Sequence, residues 1–298
     1  MLFVSKVMTG IKIMNKVLVH TLAVCLSLAG VTSAPLQAAE PVEEKRPDSK
    51  GYMAIGVGAF AGQGPFGDAG AGLGYFINGA YEWDNGLFVE VPGGPNNILG
   101  STSVGYNLYR TDHWDVDFLA SSAHSDADTK YIQQDGSELR FTKNQTNYLG
   151  VRFRGIWSGL RFQLIATPKL SDDRGTYVSS QISKHWTIQN WHLFGAYRVN
   201  YLSGGLLNYY YGVNNAENNN NNRISGLPKY IASSGLSHSL HLGATYPLTE
   251  NWLFDASLRY YQTPSAVADS PIIQNNLMRG DNRSRNALGL GLSVSYVF

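Results

Sequence analysis

The chain ends on LGLGLSVSYVF, and the alternation in that segment restricts what the rest can fold into. Leu288, Leu290, Leu292, Val294, Tyr296 and Phe298 fall on one face, and Gly289, Gly291, Ser293, Ser295 and Val297 on the other. This is the period of a strand with one apolar and one polar side. A frayed terminus makes no such demand on its residues, so an apolar face carried through to an aromatic last residue predicts a strand that is paired to its end.

The same two-sided pattern recurs along the chain. Segments bounded by turn residues predict strands at 52–60, 73–83, 87–91, 102–110, 114–121, 148–157, 160–167, 177–183, 191–201, 236–246, 252–261 and 287–298. Short connections (WDNG, TDH, SG, KHWTIQN, PLTEN) alternate with long polar ones, as they do when one end of a sheet faces a confined compartment and the other faces outside. In WLFDASLRYY, Trp252, Phe254, Ala256, Leu258 and Tyr260 share one face, while Asp255, Ser257, Arg259 and Tyr261 share the other. Periodicity alone also fits a soluble barrel with its apolar face inward.

Other features turn the apolar face toward lipid. The stretch VLVHTLAVCLSLAGV is shorter than the roughly 20 residues of a spanning helix. It follows Lys6, Lys12 and Lys16 and precedes the small residues of TSAPLQAAE, which predicts a signal peptide over 1–39. A charged leader over 40–50 and a barrel over 51–298 complete the expected organisation. Cys25, the one cysteine, lies inside the signal, so the exported chain has no disulfide framework. Trp83, Trp114, Trp157, Trp191 and Trp252 stand at strand ends, where an aromatic girdle would meet the membrane interface. With 23 Lys+Arg against 22 Asp+Glu, no basic excess points to nucleic acid.

The expected fold class is therefore all-β, a transmembrane antiparallel β-barrel of about 12 strands, with short periplasmic turns and long extracellular loops. It would sit in the bacterial outer membrane among lipid and lipopolysaccharide. Leu292, Val294, Tyr296 and Phe298 resemble the C-terminal signal that outer-membrane proteins present to the barrel-assembly machinery. The last strand would pair with the first and remove the edge that hydrocarbon cannot hydrogen-bond.

Several segments together resemble the MltA-interacting protein (MipA/OmpV) family of outer-membrane proteins: YLGVRFRG, SDDRGTYVSSQIS, NYYYGVNNAE followed by LPKY, ADSPII and the terminal SYVF, with EWDNGLFVEV nearer the start. GQGPFGDAGAG matches the family's first loop only loosely. The resemblance implies a non-enzymatic scaffold that brings together a lytic transglycosylase and a peptidoglycan synthase in murein synthesis and turnover. Other members of the family are discussed as adhesins or as factors in drug and osmotic responses.

Charged residues collect on the polar strand faces. Asp115 and Asp117 point the same way as Arg152 and Arg154 of the next barrel strand and Arg161 of the one after, with Glu90, Arg198, Asp255 and Arg259 on that face too. Neighbouring strands would set them within pairing distance. A lumen packed by paired charges that keep a narrow barrel closed is the expectation, and a narrow porin-like channel for small solutes is the alternative. Ser237, Ser239 and His241 share a face, in the manner of an outer-membrane phospholipase pair. No Asn or Asp orients the histidine and the face is the lumen, so no catalytic residue is assigned. The two acids of SDDRG lack the further oxygen ligands of a calcium site, so neither metal nor cofactor is expected. The run Asn218–Asn222 reads as an external loop.

Overall fold

A computed structural model of the chain describes residues 51–67, 69–94, 101–124, 127–132, 138–170, 175–213, 227–277 and 284–298. The expected signal peptide and leader, residues 171–174 of the SDDRG loop, and Asn218–Asn222 lie outside the described residues.

Alternating side chains can bury a polar face and expose an apolar one only if the sheet closes on itself, and this sheet does. The first half supplies β1 (Gly51–Gln63), β2 (Ala69–Glu82), β3 (Leu87–Val91), β4 (Ser103–Arg110) and β5 (Trp114–His124). The second supplies β8 (Thr146–Trp157), β9 (Leu160–Leu170), β10 (Tyr177–Ile188), β11 (Trp191–Leu202), β12 (Gly235–Pro247), β13 (Trp252–Gln262) and β14 (Asn286–Val297). These twelve strands form one closed antiparallel barrel, with β5 paired to β8 and β14 paired back to β1. Each of the twelve expected segments corresponds to one of them. Between β5 and β8 lies a separate hairpin, β6 (Ala127–Ile132) with β7 (Glu138–Lys143).

The faces divide as the alternation requires. On β2, Leu73 and Tyr75 are each 89% exposed on the outside, whereas Asp117 on the inside of β5 is 0% exposed. Closure runs to the last residue: Leu292 lies opposite Ala59, Tyr296 opposite Ile55, and the Phe298 N–H donates to the Met53 carbonyl at 2.9 Å.

Three departures from the sequence reading have physical causes. KHWTIQN is mostly strand, because its alternation continues through Trp186 and Ile188 on the outside, and Gln189, with φ 54°, supplies the left-handed step of a two-residue turn. GQGPFGDAGAG is likewise mostly ladder, with Gly62 opposite Gly70 and Gln63 opposite Ala69; glycine and alanine carry no hydrophobic alternation to reveal it. Finally, the long connections are not all irregular. After β11 comes α1 (Gly204–Tyr211), and after β13 come α2 (Ser265–Ala268) and α3 (Pro271–Leu277).

These helices pack inward. Ser203 caps α1 by accepting from the Leu206 N–H. Leu206, Leu207 and Tyr210 then bury against lumen-facing Leu119, Tyr148 and Ile165, with Ala266 and Val267 of α2 joining them. At the next position the chain after β3 also turns inside. A Cβ on Gly93 would collide with the Ile77 carbonyl, and Gly94 holds φ +78° against the Phe76 ring, so this close approach needs glycine.

Candidate functional site

The lumen is the candidate site, and the ladder register assembles it. Asp117 lies opposite Arg152 and Asp115 opposite Arg154 between β5 and β8, while Glu90 on β3 lies opposite Ser103 on β4. Arg152, 3% exposed, donates from Nη1 and Nη2 to Glu90 at 2.6 and 3.0 Å and from Nε to Asp117 at 2.9 Å. Its guanidinium lies 4.9 Å from the centre of the Phe88 ring. Arg154 reaches Asp117 at 3.0 Å, Asp115 at 3.4 Å and Glu90 at 3.6 Å. Ser103 donates to Glu90 at 2.9 Å and Asn107 to Asp117 at 2.8 Å. Charges this deep are tolerated only when paired and hydrogen-bonded; Glu90, Asp117 and Arg152 are both, while Arg154 is paired but keeps a buried Nε without a hydrogen-bond partner among the described residues.

Two members escaped the sequence reading. Arg110 donates to Glu82 at 2.6 and 2.7 Å and to Asp115 at 3.1 Å. Strict alternation from Asn107 would turn Arg110 outward. A bulge between Asn107 and Tyr109 leaves Leu108 and Tyr109 both exposed and brings Arg110 back to the acids. A bulge is invisible to a period-two count.

The other expected lumen charges lie on the lumen face but belong to separate groupings. Arg198 donates from Nε and Nη2 to the Gln181 Oε1 at 2.9 and 2.6 Å. Asp255 accepts from the Thr245 hydroxyl directly across the ladder. Arg259 lies opposite His241, with Nε 3.4 Å from the His241 Nε2, and donates from Nη2 to the Gly94 carbonyl at 3.1 Å. Arg161 sits across the ladder from Ser183. Between the two walls lies a polar cavity of about 70 Å³, lined among others by Ser103, Ser121, Tyr148, Ser179, Arg152 and Arg198. Its hydroxyls and guanidinia make it room for a few waters rather than for a solute.

Ser237, Ser239 and His241 do share the lumen face of β12. Ser237 accepts from the Asn200 side chain at 3.1 Å, and His241 packs against the edge of Phe194. The nitrogen a catalytic base would use is thereby turned toward a cation, Arg259.

Above the charges the inward-folded loops are latched. The Tyr210 hydroxyl donates to the Asn144 carbonyl at 2.8 Å and lies 2.9 Å from the Thr146 hydroxyl, while His124 stacks on the Tyr210 ring at 3.8 Å. Tyr211 lies 3.4 Å from the His124 Nε2, and burial pushes its phenol up to about 12, so it remains a neutral hydrogen-bonding group. Ser270 donates to the Tyr211 carbonyl at 2.7 Å, and Tyr230 to the Ala266 carbonyl at 2.7 Å.

On the outside, Trp83, Trp114, Trp157, Trp191 and Trp252 all flank short turns, so they form a belt at that one end. Trp83 packs on Tyr81, Trp114 on Phe153, Trp191 on Tyr246 and Trp252 on Tyr296. Tyr296 in turn meets Phe298 at 4.9 Å, so the proposed assembly signal is continuous with the belt. Trp186, also exposed outside, is a further aromatic of this surface.

Residues 55–298 match the family model described as MltA-interacting protein MipA. The putative outer membrane protein YiaT of Escherichia coli (strain K12) is 35% identical over 78 residues, which are 26% of this chain and 30% of that protein. The matched stretch thus spans less than a third of that relative's length. Among solved structures, outer-membrane expressed OmpT of Vibrio cholerae covers 86% of this chain and 100% of its own at 9% identity and a TM-score of 0.36. The NanC porin covers 81% of this chain and 98% of its own at 10% identity and a TM-score of 0.39.

Proposed function

Because this outer-membrane barrel belongs to the MltA-interacting protein family, we propose that it is a non-enzymatic platform for peptidoglycan turnover, holding a lytic transglycosylase, and through it a peptidoglycan synthase, at the inner face of the outer membrane. One observation carries the reading beyond the family's name. The lumen is occupied on one side by the Glu90–Arg152–Asp117 network and above it by the latched loops, so the barrel is narrowed by its own side chains rather than left as a wide conduit. The setting of His241 against Arg259 supports the non-enzymatic part.

A partner in the periplasm would meet the short turns. Asp84, Asp112 and Glu250 are exposed there and suit replacement by a photo-crosslinking residue in native envelopes. Crosslinks to a transglycosylase from these turns support the platform. Crosslinks that arise only from the long-loop end, or a transglycosylase that never appears among the products, count against it. The second reading, a narrow passage for small solutes, is favoured by the open space beside Arg259 and is separated from the first by conductance.

A further inference from the structure

The network occupies one side of the lumen, and the opposite side is open. A cavity of about 550 Å³ lies between β13, β14, β1 and β2, within the size range of small-molecule sites. Its lining includes Phe60, Gly72, Gly94, Ser257, Arg259 and Tyr261. The register explains why the space exists. Across β14, β1 and β2 the lumen-facing positions read Gly289–Gly62–Gly70 in one row and Gly291–Phe60–Gly72 in the next. A Cβ on Gly70, Gly72 or Gly289 would meet nothing within 4 Å, so the missing side chains leave room that no neighbour fills.

The space has a floor. One row deeper, a Cβ on Gly58 would already be 3.2 Å from the Phe60 ring, and one on Gly56 would collide with Phe76. Gly94 lies against the same Phe76 ring. Two aromatic rings and the inturned segment after β3 therefore lie beneath the cavity on this wall, while its upper residues, Gln63, Gly64 and Ala287, are at the long-loop end of their strands. This is a vestibule with an aromatic floor.

We propose that the vestibule binds a small organic carboxylate with a flat or ring-shaped body, entering from the long-loop end. Of the described residues lining the cavity, Arg259 carries the charge. A guanidinium presents a planar fork that matches a carboxylate with two parallel N–H bonds. Its position is set in advance, since Nη2 donates to the Gly94 carbonyl and Nε points at His241, so little side-chain freedom is lost when a ligand binds. Phe60, 39% exposed although it faces inward, offers a ring for the ligand body, and the side-chain-free wall beside it admits a flat molecule to van der Waals contact. The proposal is independent of the platform function.

Titration calorimetry on the full barrel in lipid nanodiscs, with benzoate as probe and neutral benzamide as its isostere, tests it. Parent protein should bind benzoate at least about tenfold more tightly than benzamide, the usual scale for one charge-assisted pair. Arg259→Gln should lose about tenfold or more for benzoate and nothing for benzamide. Gly72→Leu, which grows into open space and so leaves the wall unstrained, should abolish binding of both. Heat-modifiable migration checks that each variant is folded, and if Arg259→Gln does not fold, Gly72→Leu and the benzamide comparison decide alone. Absence of benzoate binding by the parent, equal affinity for the two probes, or undiminished binding by Gly72→Leu each overturns the proposal.

Discussion

Replacing Arg152 with methionine keeps an unbranched apolar stem and removes the guanidinium with its charge. Arg152 is 3% exposed and makes three hydrogen bonds to Glu90, 7% exposed, and Asp117, 0% exposed. After the change the two buried carboxylates keep the neutral donors Ser103 and Asn107 but share one cation, Arg154, which stands 3.6 Å from Glu90 and must also serve Asp115. Breaking a buried pair by removing one partner costs about 3–5 kcal/mol, because the charge left behind is uncompensated. Arg110→Met is the internal standard: its pair with Glu82 is screened by solvent, at 40% and 30% exposure, and the buried Asp115 to which it also donates keeps Arg154, so its loss should cost only about 1–2 kcal/mol. Neutralising the whole group, Glu90→Gln/Asp117→Asn/Arg152→Met, should recover most of the loss, since what destabilises is the unpaired charge and not the missing bridge. Reversible urea unfolding of the vesicle-inserted barrel, followed by tryptophan fluorescence, measures all three. If Arg152→Met and Arg110→Met cost the same, solvent screens the network and the buried setting of Arg152 described above is wrong.

Three further outcomes follow from the same geometry. Leu73→Arg, on the outside of β2 in the ladder row of Ala59 and Leu292, should cost about 2–4 kcal/mol in that assay, while Gly72→Ser, its neighbour facing open lumen, should cost well under half as much; similar costs would mean the faces are reversed. Deleting Phe298, or Phe298→Ser, should lower the amount of heat-modifiable protein recovered from outer membranes, through loss of both the terminal signal and the bond to Met53; normal levels would remove Phe298 from the signal. Tyr210→Phe deletes the hydroxyl shared by Asn144 and Thr146 and should weaken the latch by about 1–2 kcal/mol, read as faster amide hydrogen exchange in α1 with the strands unchanged.

Alternation made the barrel legible, since the strands carry an apolar outside and, where no bulge intervenes, the face of a charged residue follows by parity. Asp115, Asp117, Arg152 and Arg154 come together because they sit at matched positions on two strands that pair directly, although residues 125–145, which hold the β6–β7 hairpin and its connections, separate the strands in sequence. Arg110 was illegible because one bulge reverses the parity after Asn107. Helix α1 was illegible for another reason. GGLLNYYY holds two glycines, an asparagine and three tyrosines, all weak helix formers, and what makes it helical is the Ser203 cap and the burial of Leu206, Leu207 and Tyr210 on a surface that only the closed barrel provides. The vestibule depends on residues absent as side chains. Glycine leaves no mark in a hydrophobic pattern, and only the pairing of β14, β1 and β2 shows that their glycines line up.

Planar-bilayer recording on the purified barrel tests the obstructed lumen most directly. With the Glu90–Arg152–Asp117 network intact, Gly94 bonded to Arg259 across the lumen and α1 packed above, the account predicts no steady ohmic conductance beyond brief, small openings. A large, stable, ion-selective conductance from the unmodified protein would contradict it and establish the barrel as a channel.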